Sequence, residues 1–330
     1  MNSAQSEISI RRFTSNAIIT PALSAEIGTN IQGPSLIRVP EWLPDPLGKY
    51  YLYFADHKGS YIRLAFADDL SGPWTVHEPG TLHLEQSHFR TEPAKVPEKF
   101  KNKVDLGGFA TGPVEGVPAP LNSATKPHIA SPEVIVREDL KQIVMYYHGL
   151  EDFAFQRTRV ALSNDGIHFE AREPIVTNSY LRVFNHDNQW YGLAMPGIFY
   201  RSRDGLSEFE QNEVRLFPNT MRHNALLKRD NTLYIFWTRV GDTPEHVLLS
   251  TIDIDGDWSS WTTGEPADVL YPEQSWEGAN QPLVPSVRDA INVPVNQLRD
   301  PAIFVEGDRT YLLYAIAGEA GIAIVELLMQ

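Results

Sequence analysis

The chain reads as an all-β protein, a single five-bladed β-propeller spanning residues 1–330, and three features carry that reading. Short β-type runs fill it: SLIRV (35–39), YYLYFA (50–55), YIRLAFA (61–67), EVIV (133–136), IVMYY (143–147), TRVALS (158–163), TLYIFW (232–237), HVLLSTID (246–253) and TYLLYAIA (310–317). Long helical periodicity is missing, and 24 prolines and 22 glycines punctuate the runs. The runs also recur in a fixed order: an apolar strand, a polar turn, a Tyr-rich strand, a short loop, a third strand, then a turn of the type DG..F or GPW.

The unit first appears as GPSLIRVP followed by GKYYLYFADHKGSYIRLAFADDLSGPWTVH, and it returns as SPEVIVREDLKQIVMYYHG with TRVALSNDGIHFE. The third copy is YLRVFNHDNQWYGLAMPGIFYRSRDGLSEFE, and the fourth begins at RHNALLKRDNTLYIFW. The fifth, RDPAIFVEGDRTYLLYAIAGEAGIAIVEL, ends the chain after its third strand. Its outer strand is expected from the N-terminal segment near residues 8–19, which would close the ring. A β-sandwich has no reason to repeat this order. The stretch 82–126, rich in Pro, Gly and charge, reads as a long insertion between copies one and two. It either folds over the site or elaborates a blade edge. Within it, GGFATG (107–112) follows no strand and opens no helix, so it reads as loop.

Composition narrows the function. The absence of cysteine excludes disulfides, thiolate metal sites and a Cys nucleophile. The first residues, MNSAQSEISIRRF, lack the apolar core of a signal peptide, and no run is long and apolar enough to span a bilayer, so a cytoplasmic location is expected. A formal net charge of −14 repels phosphate backbones and anionic lipids. Nucleic acid and membrane are therefore not expected partners. Aromatic residues, at 11%, pack between sheets and also stack on sugar rings.

Several motifs resemble the five-bladed propeller glycosidases, chiefly glycoside hydrolase family 43 with its relatives in families 32, 62, 117 and 130. Arg299-Asp300-Pro301-Ala302-Ile303-Phe304, followed by Tyr311-Leu312-Leu313-Tyr314, resembles the family 43 opening R-D-P-x-I…Y-Y-L-Y. Ser131-Pro132-Glu133-Val134 resembles A-P-E-V, and Gln32-Gly33-Pro34 with Lys49-Tyr50-Tyr51-Leu52-Tyr53 resembles E-G-P…Y-Y-L. The resemblance implies that Asp300 is a general base and that the partner is a carbohydrate. Two departures stand out: Gln32 occupies the acid position, and the Asp-Pro motif sits in the last copy rather than the first. An acid must then come from elsewhere, or the activity has been lost.

In a propeller the innermost strands start around one end of a central channel, so the copies can be aligned into a ring of candidates. Asn30, Gln32 and Ser35 come from the first copy, His128, Ser131 and Glu133 from the second, Tyr180 and Arg182 from the third. Arg222, His223 and Asn224 come from the fourth, and Arg299 and Asp300 from the fifth. His223 and Asp300 each lie eleven residues before the matching Tyr. Returning loops add Asp56, His57, Lys58, His148, Arg239, Asp242 and Glu319, and Glu277 is a further loop acid. Polar groups converging on a concave mouth point to one central site.

The expected chemistry is inverting glycoside hydrolysis, with Asp300 as base and Glu133 or His223 as acid, standing about 6.5–9.5 Å apart. A histidine acid is known in the family 117 relatives that the chain resembles. The substrate-binding set is Gln32, Asp56, His57, Lys58, His128, Arg182, Arg222, Asn224, Arg299 and Glu319. Each residue also has a structural explanation: Asp300 as a turn residue, Glu133 as partner of Arg182 or Arg299, the histidines as channel filling. Phosphorolysis, with Arg182, Arg222, Lys58 and His57 holding phosphate, is one alternative. Metal-assisted cleavage, hydrolytic or by elimination, is another: no cofactor is required, but His57, His128 and His223 with a carboxylate form a candidate site for a divalent ion. The last is a sugar-binding propeller without catalysis, which the unlike residues at matching positions disfavour.

Overall fold

The structure, a computed structural model, describes residues 8–101 and 123–329. Among the described residues there are twenty-one strands, a few 3₁₀ turns and no α-helix. The strands form five antiparallel sheets, each laid out from an inner to an outer strand. Strand β1 (Ile8–Arg12) comes first but belongs to the last blade. Blade one holds β2 (Gln32–Arg38), β3 (Tyr50–Ala55), β4 (Tyr61–Ala67) and β5 (Thr75–His83). Blade two holds β6 (Ile129–Arg137), β7 (Gln142–Asp152), β8 (Phe155–Ser163) and the short β9 (Glu170–Ala171) and β10 (Thr177–Asn178), both paired to β8. Blade three holds β11 (Arg182–His186), β12 (Gln189–Ala194), β13 (Ile198–Ser202) and β14 (Glu210–Gln211). Blade four holds β15 (Met221–Arg229), β16 (Thr232–Arg239), β17 (Val247–Asp253) and β18 (Ala267–Leu270). Blade five holds β19 (Arg299–Glu306), β20 (Arg309–Ala315) and β21 (Ile322–Met329), with β1 as its fourth strand.

Both faces of a blade are covered by its neighbours, which is why the second strands are apolar or aromatic throughout rather than alternating. Five apolar clusters fill the five joints. Tyr51, Tyr53 and Met145 belong to the joint of blades one and two, for example, and Leu36, Phe54 and Leu313 to that of blades five and one. The Tyr-rich strands and the DG turns of the sequence repeat are two halves of one clasp. Tyr53 donates its hydroxyl to the carbonyl of Gly166 at 2.7 Å, and Tyr146 to that of Gly205 at 2.6 Å, each reaching from one blade to the turn of the next. Gly166 and Gly205 both have φ +72°, and a Cβ on Gly205 would stand 2.7 Å from the Trp190 ring, so only glycine fits that turn.

The inner strands share an irregularity that builds the mouth. The pairing slips between Gln32 and Ser35, Ala130 and Glu133, Met221 and Asn224, and Arg299 and Ala302. The X-Pro pairs Gly33-Pro34, Ser131-Pro132 and Asp300-Pro301 fall in these bulges, with Gly33, Ser131 and Asp300 at φ +63°, +47° and +51°. A bulge re-aims side chains and removes residues from the ladder. Register also modifies the alignment read from the sequence. Counting back from tyrosine equates His223 with Asp300, but the bulged residues of β15 are Arg222 and His223, so by bulge position Asp300 matches Arg222.

Strand β1 pairs antiparallel with β21, from Ile8 with Met329 to Arg12 with Val325. Glu277 locks this closure. It is fully buried and takes hydrogen bonds from Arg12 Nε (3.0 Å), the Tyr314 hydroxyl (2.7 Å) and the backbone N–H of Glu273 and Gln274. Glu277 is thus a closure residue and lies outside the mouth. In the 82–126 stretch, Leu82 and His83 still belong to β5, and residues 84–101 pack Ala94 and Phe100 against Leu150 and Phe153 of blade two. The GGFATG run lies outside the described residues. Removing residues 1–13 should strip β21 of its neighbour and leave Glu277 buried without Arg12. Thermal melting is expected to fall by roughly 5 °C or more, with self-association through the bared edge. An unchanged melting curve and a monomeric light-scattering profile would show that β1 contributes nothing to closure.

Candidate active site

The channel is plugged by one side chain. Arg182, 1% exposed, donates Nη1 to the carbonyl of Pro132 (2.7 Å), Nε to that of Asn224 (3.2 Å) and Nη2 to that of Pro34 (3.3 Å). Those carbonyls belong to blades two, four and one, while Arg182 starts blade three. The same guanidinium meets Glu133 Oε2 at 2.6 Å and the Tyr180 hydroxyl at 3.3 Å. Burial raises the Glu133 carboxyl, opposed by Arg182. Gln32, also buried, accepts a hydrogen bond from the Ser131 hydroxyl at 3.0 Å, and Asn224 reaches the Leu193 carbonyl.

Above this plug lies a narrow chamber lined by His57, Lys58, Ser123, Ser131, His148, Gln156, Tyr180, Met195, Arg222, His223, Arg288 and Asp289. Its accessible space is about 30 Å³, room for about two waters. It adjoins a wider chamber of about 560 Å³ lined by Asp56, Thr125, Lys126 and Asn292 among others; Lys58, Ser123 and Asp289 line both.

A buried charge network forms the wall on the blade-five side. Glu319 takes Arg299 Nη1 (2.7 Å), Asn30 Nδ2 (2.8 Å) and His57 Nδ1 (3.0 Å), with Arg222 Nη2 at 3.7 Å. Burial opposes its ionisation, but His57, Arg299 and Arg222 overcome it and hold Glu319 well below the carboxylate range. Glu245 faces Arg299 Nε at 3.1 Å and Arg222 Nη1 at 3.3 Å. Arg222 also donates to the carbonyls of Val287 and Asp289.

Asp300 sits against this wall, 1% exposed, and among the described residues neither carboxylate oxygen has a hydrogen-bond partner by distance and angle. Burial, reinforced by the negative charge of Glu319, pushes its carboxyl up to about 7. Its backbone N–H donates to His223 Nδ1 at 3.2 Å, which leaves the ring proton on Nε2, 3.4 Å from Asp300 Oδ1. Burial, with Arg222 and Arg299 adding to it, holds His223 well below the usual histidine range, so the ring is neutral at pH 7. The Tyr180 hydroxyl also couples to Asp300 and is raised by burial and that charge. The Tyr180 and His223 rings, 4.8 Å apart, line the chamber, and Asp300 does not.

The structure thus brings His57, Lys58, Arg222 and His223 together around the chamber, with Asp300, Arg299, Glu319 and His128 directly behind and Asp56 at the wider opening. Glu133, Gln32, Arg182 and Asn224 do not line it, because they lie at or past the bulge where the arginine fills the channel. The Glu133 carboxylate pairs with Arg182, and both ring nitrogens of His223 are directed at Asp300. His57, His128 and His223 do not meet as a ligand set. His57 faces Glu319, and His128 Nδ1 faces the Lys126 carbonyl at 2.7 Å; among the described residues no three His, Asp or Glu cluster closely enough for a metal. Arg239 pairs with Asp242 at 2.8 Å, away from the chamber. Sequence reasoning missed Gln156, Met195, Glu245, Arg288 and Asp289. Arg288 and Asp289 lie in a stretch without a repeat counterpart, whereas Glu245, on the returning loop with Asp242, could have been found there.

Solved structures share this architecture. The GH130 enzyme described among mannoside phosphorylases and hydrolases of β-1,2 mannosidic linkages in Candida mannan aligns over 99% of this chain and 95% of its own, with TM-score 0.63 and 11% identity. A glycosyl hydrolase from Bacteroides ovatus aligns over 96% and 93% (TM-score 0.64, 10% identity). A GH43_1 enzyme from Xanthomonas citri aligns over 92% and 89% (TM-score 0.54, 11% identity). The chain is therefore a five-bladed β-propeller of the fold that glycoside hydrolases and phosphorylases use, divergent from them in sequence. No family model matches it. It belongs to the family of the uncharacterized protein R118 of Acanthamoeba polyphaga mimivirus, with 33% identity over 346 residues, covering 96% of this chain and 90% of that protein.

The plug makes a direct test. Arg182→Met leaves Glu133 a part-buried charge without its partner and frees three inward carbonyls. A loss of about 3–5 kcal/mol is expected in denaturant unfolding. A loss under about 1 kcal/mol would show that the blades hold one another without it.

Proposed function

We infer that the protein is a glycosidase-type enzyme acting on an oligosaccharide or a glycan fragment, with Asp300 as the proton-handling group of the mouth. The observation that carries this is the state of Asp300: a buried carboxylate without a hydrogen bond, held at a positive φ, with its carboxyl pushed up to about 7. Such a group costs stability, and His223 Nε2 at 3.4 Å and the Tyr180 hydroxyl do not offset its burial; perturbed carboxylates in this setting are typical of catalytic acids and bases. The shared fold of glycoside hydrolases and phosphorylases supports the same reading.

In this reading Asp300 acts as base in its ionised form when the Tyr180 and His223 rings part. It accepts a proton from the water whose oxygen bonds to the anomeric carbon, the glycosidic C–O bond breaks, and the leaving oxygen takes its proton from water in the wider chamber. Neutral His223 steadies the carboxylate through Nε2–H, and Tyr180 stands on its other side. Phosphorolysis and metal assistance differ from hydrolysis in what they consume, so one experiment separates them. Sugar release from an oligosaccharide panel is followed with and without phosphate, and with and without a chelator. Hydrolysis predicts turnover that needs neither phosphate nor metal.

Asp300→Asn is expected to lower turnover by about 10²–10⁴-fold, and kcat/KM of the parent enzyme should rise with pH up to about 7 and then level. Undiminished turnover in the variant, or glycan binding without turnover in the parent, would remove the catalytic assignment. Stability gives a second readout. A carboxyl raised in the folded state binds more protons there than in the unfolded chain between about pH 4 and pH 7. Its stabilising contribution is therefore full below about pH 4 and is lost as pH rises through 7. Asp300→Asn removes the penalty and is expected to raise melting at pH 8 by about 3 °C or more, with little change at pH 4. Equal shifts at both pH values would contradict the buried-carboxylate account.

A further inference from the structure

We propose that the sugar unit taken by the mouth carries an acidic substituent, a carboxylate or a sulfate or phosphate ester, received by Lys58 where the two chambers meet. This rests on the reading of the mouth as a glycan site.

The chain carries a net charge of −14, yet Lys58, Arg222 and Arg288 line the narrow chamber and only Asp289 among its lining side chains bears a carboxylate; burial holds His148 and His223 neutral. The inner arginines are already neutralised: Arg222 and Arg299 by Glu245 and Glu319, Arg182 by Glu133. Lys58 is different. Among the described residues no carboxylate forms an ion pair with its Nζ, whose nearest polar neighbour is His128 Nε2 at 3.5 Å. His128 directs Nδ1 at a backbone carbonyl and is held neutral by burial with the charge of Lys58, so Nε2 accepts from the ammonium and offers no countercharge.

The surrounding groups favour an oxyanion over a neutral hydroxyl. Arg288 lines the same chamber and anchors one Nη to the carbonyls of Asn219 and Met221. His148 also lines it, with Nδ1 buried and, among the described residues, without a partner. The Asp289 carboxylate is held by the Ser123 hydroxyl at 2.6 Å. The narrow chamber, at about 30 Å³, suits a small charged head group, and the adjoining 560 Å³ suits the sugar body. Lys58 is half-buried, and burial lowers its ammonium to about 8 against the attraction of Asp289 and Glu319, neither of which forms an ion pair with it among the described residues; a ligand oxyanion at ion-pair distance offsets that desolvation.

The test is calorimetric or NMR titration with matched probes: glucose and galactose, glucuronate and galacturonate, galactose 6-sulfate, and inorganic phosphate alone. Acidic monosaccharides are expected to bind at least tenfold more tightly than their neutral counterparts. Lys58→Met should abolish that preference, and Lys58→Arg should restore most of it, which also guards against a folding defect. Acidic-sugar binding without turnover of the matching glycosides supports this proposal while removing the catalytic reading. Turnover of neutral glycosides with no acidic preference overturns the proposal and leaves the catalytic reading intact. Phosphate binding that accelerates cleavage of neutral glycosides also overturns it, assigning the cations to a free co-substrate. Absence of binding by every sugar overturns both.

Discussion

The geometry of the channel depends on the Arg182 guanidinium. A ring of five sheets leaves its inner strands facing a common axis, with backbone carbonyls turned inward at each bulge. Water could satisfy them, but then the channel would be an open pore. Arg182 satisfies carbonyls of blades one, two and four together, and Glu133 balances its charge. The floor of the mouth is therefore dry and fixed, and the residues above it are held in a low-dielectric surrounding. That surrounding is what separates the neighbouring acids: Glu319, touched by Arg299 and His57, stays ionised, while Asp300, without hydrogen bonds, is pushed toward neutrality.

The bulges translate this scaffold into chemistry. A regular inner strand would alternate its side chains between the two faces of the blade, pointing none of them up the axis. At Ser131 and Asp300 the chain takes a positive φ before a proline, and the strand begins regular pairing only after it. Side chains at these positions are released from the sheet and gathered at one end. Asp tolerates that backbone better than most non-glycine residues, so the position is compatible with a carboxylate and hostile to bulky or β-branched residues.

Much of this was legible in the sequence because it repeats. The Tyr-rich strands, the DG turns and the X-Pro openings recur, and a recurring feature announces its structural role: Tyr53 and Tyr146 make the same clasp to Gly166 and Gly205. The closing strand was also legible, since the fifth copy is one strand short. Pairings across blades were not. Nothing in the spacing of Glu133 and Arg182 says that they choose each other over Arg299, because that choice depends on which side chain reaches the axis. The orientation of the His223 ring was hidden for a similar reason: its Nδ1 accepts the backbone N–H of Asp300, a contact 77 residues away. Arg288 and Asp289 were invisible because the stretch that carries them has no counterpart in the other blades to align with.

That last stretch, between β18 and β19, has a wider meaning. It is tied at one end to the ring closure through Glu277 and at the other to the channel through Gln297, which takes two hydrogen bonds from Arg299. Between these anchors it presents Arg288 and Asp289 to the ligand space while making no blade strand. A lineage could exchange this one connector, and with it two of the side chains that line the chamber, without altering a single strand register or Asp300 at the axis.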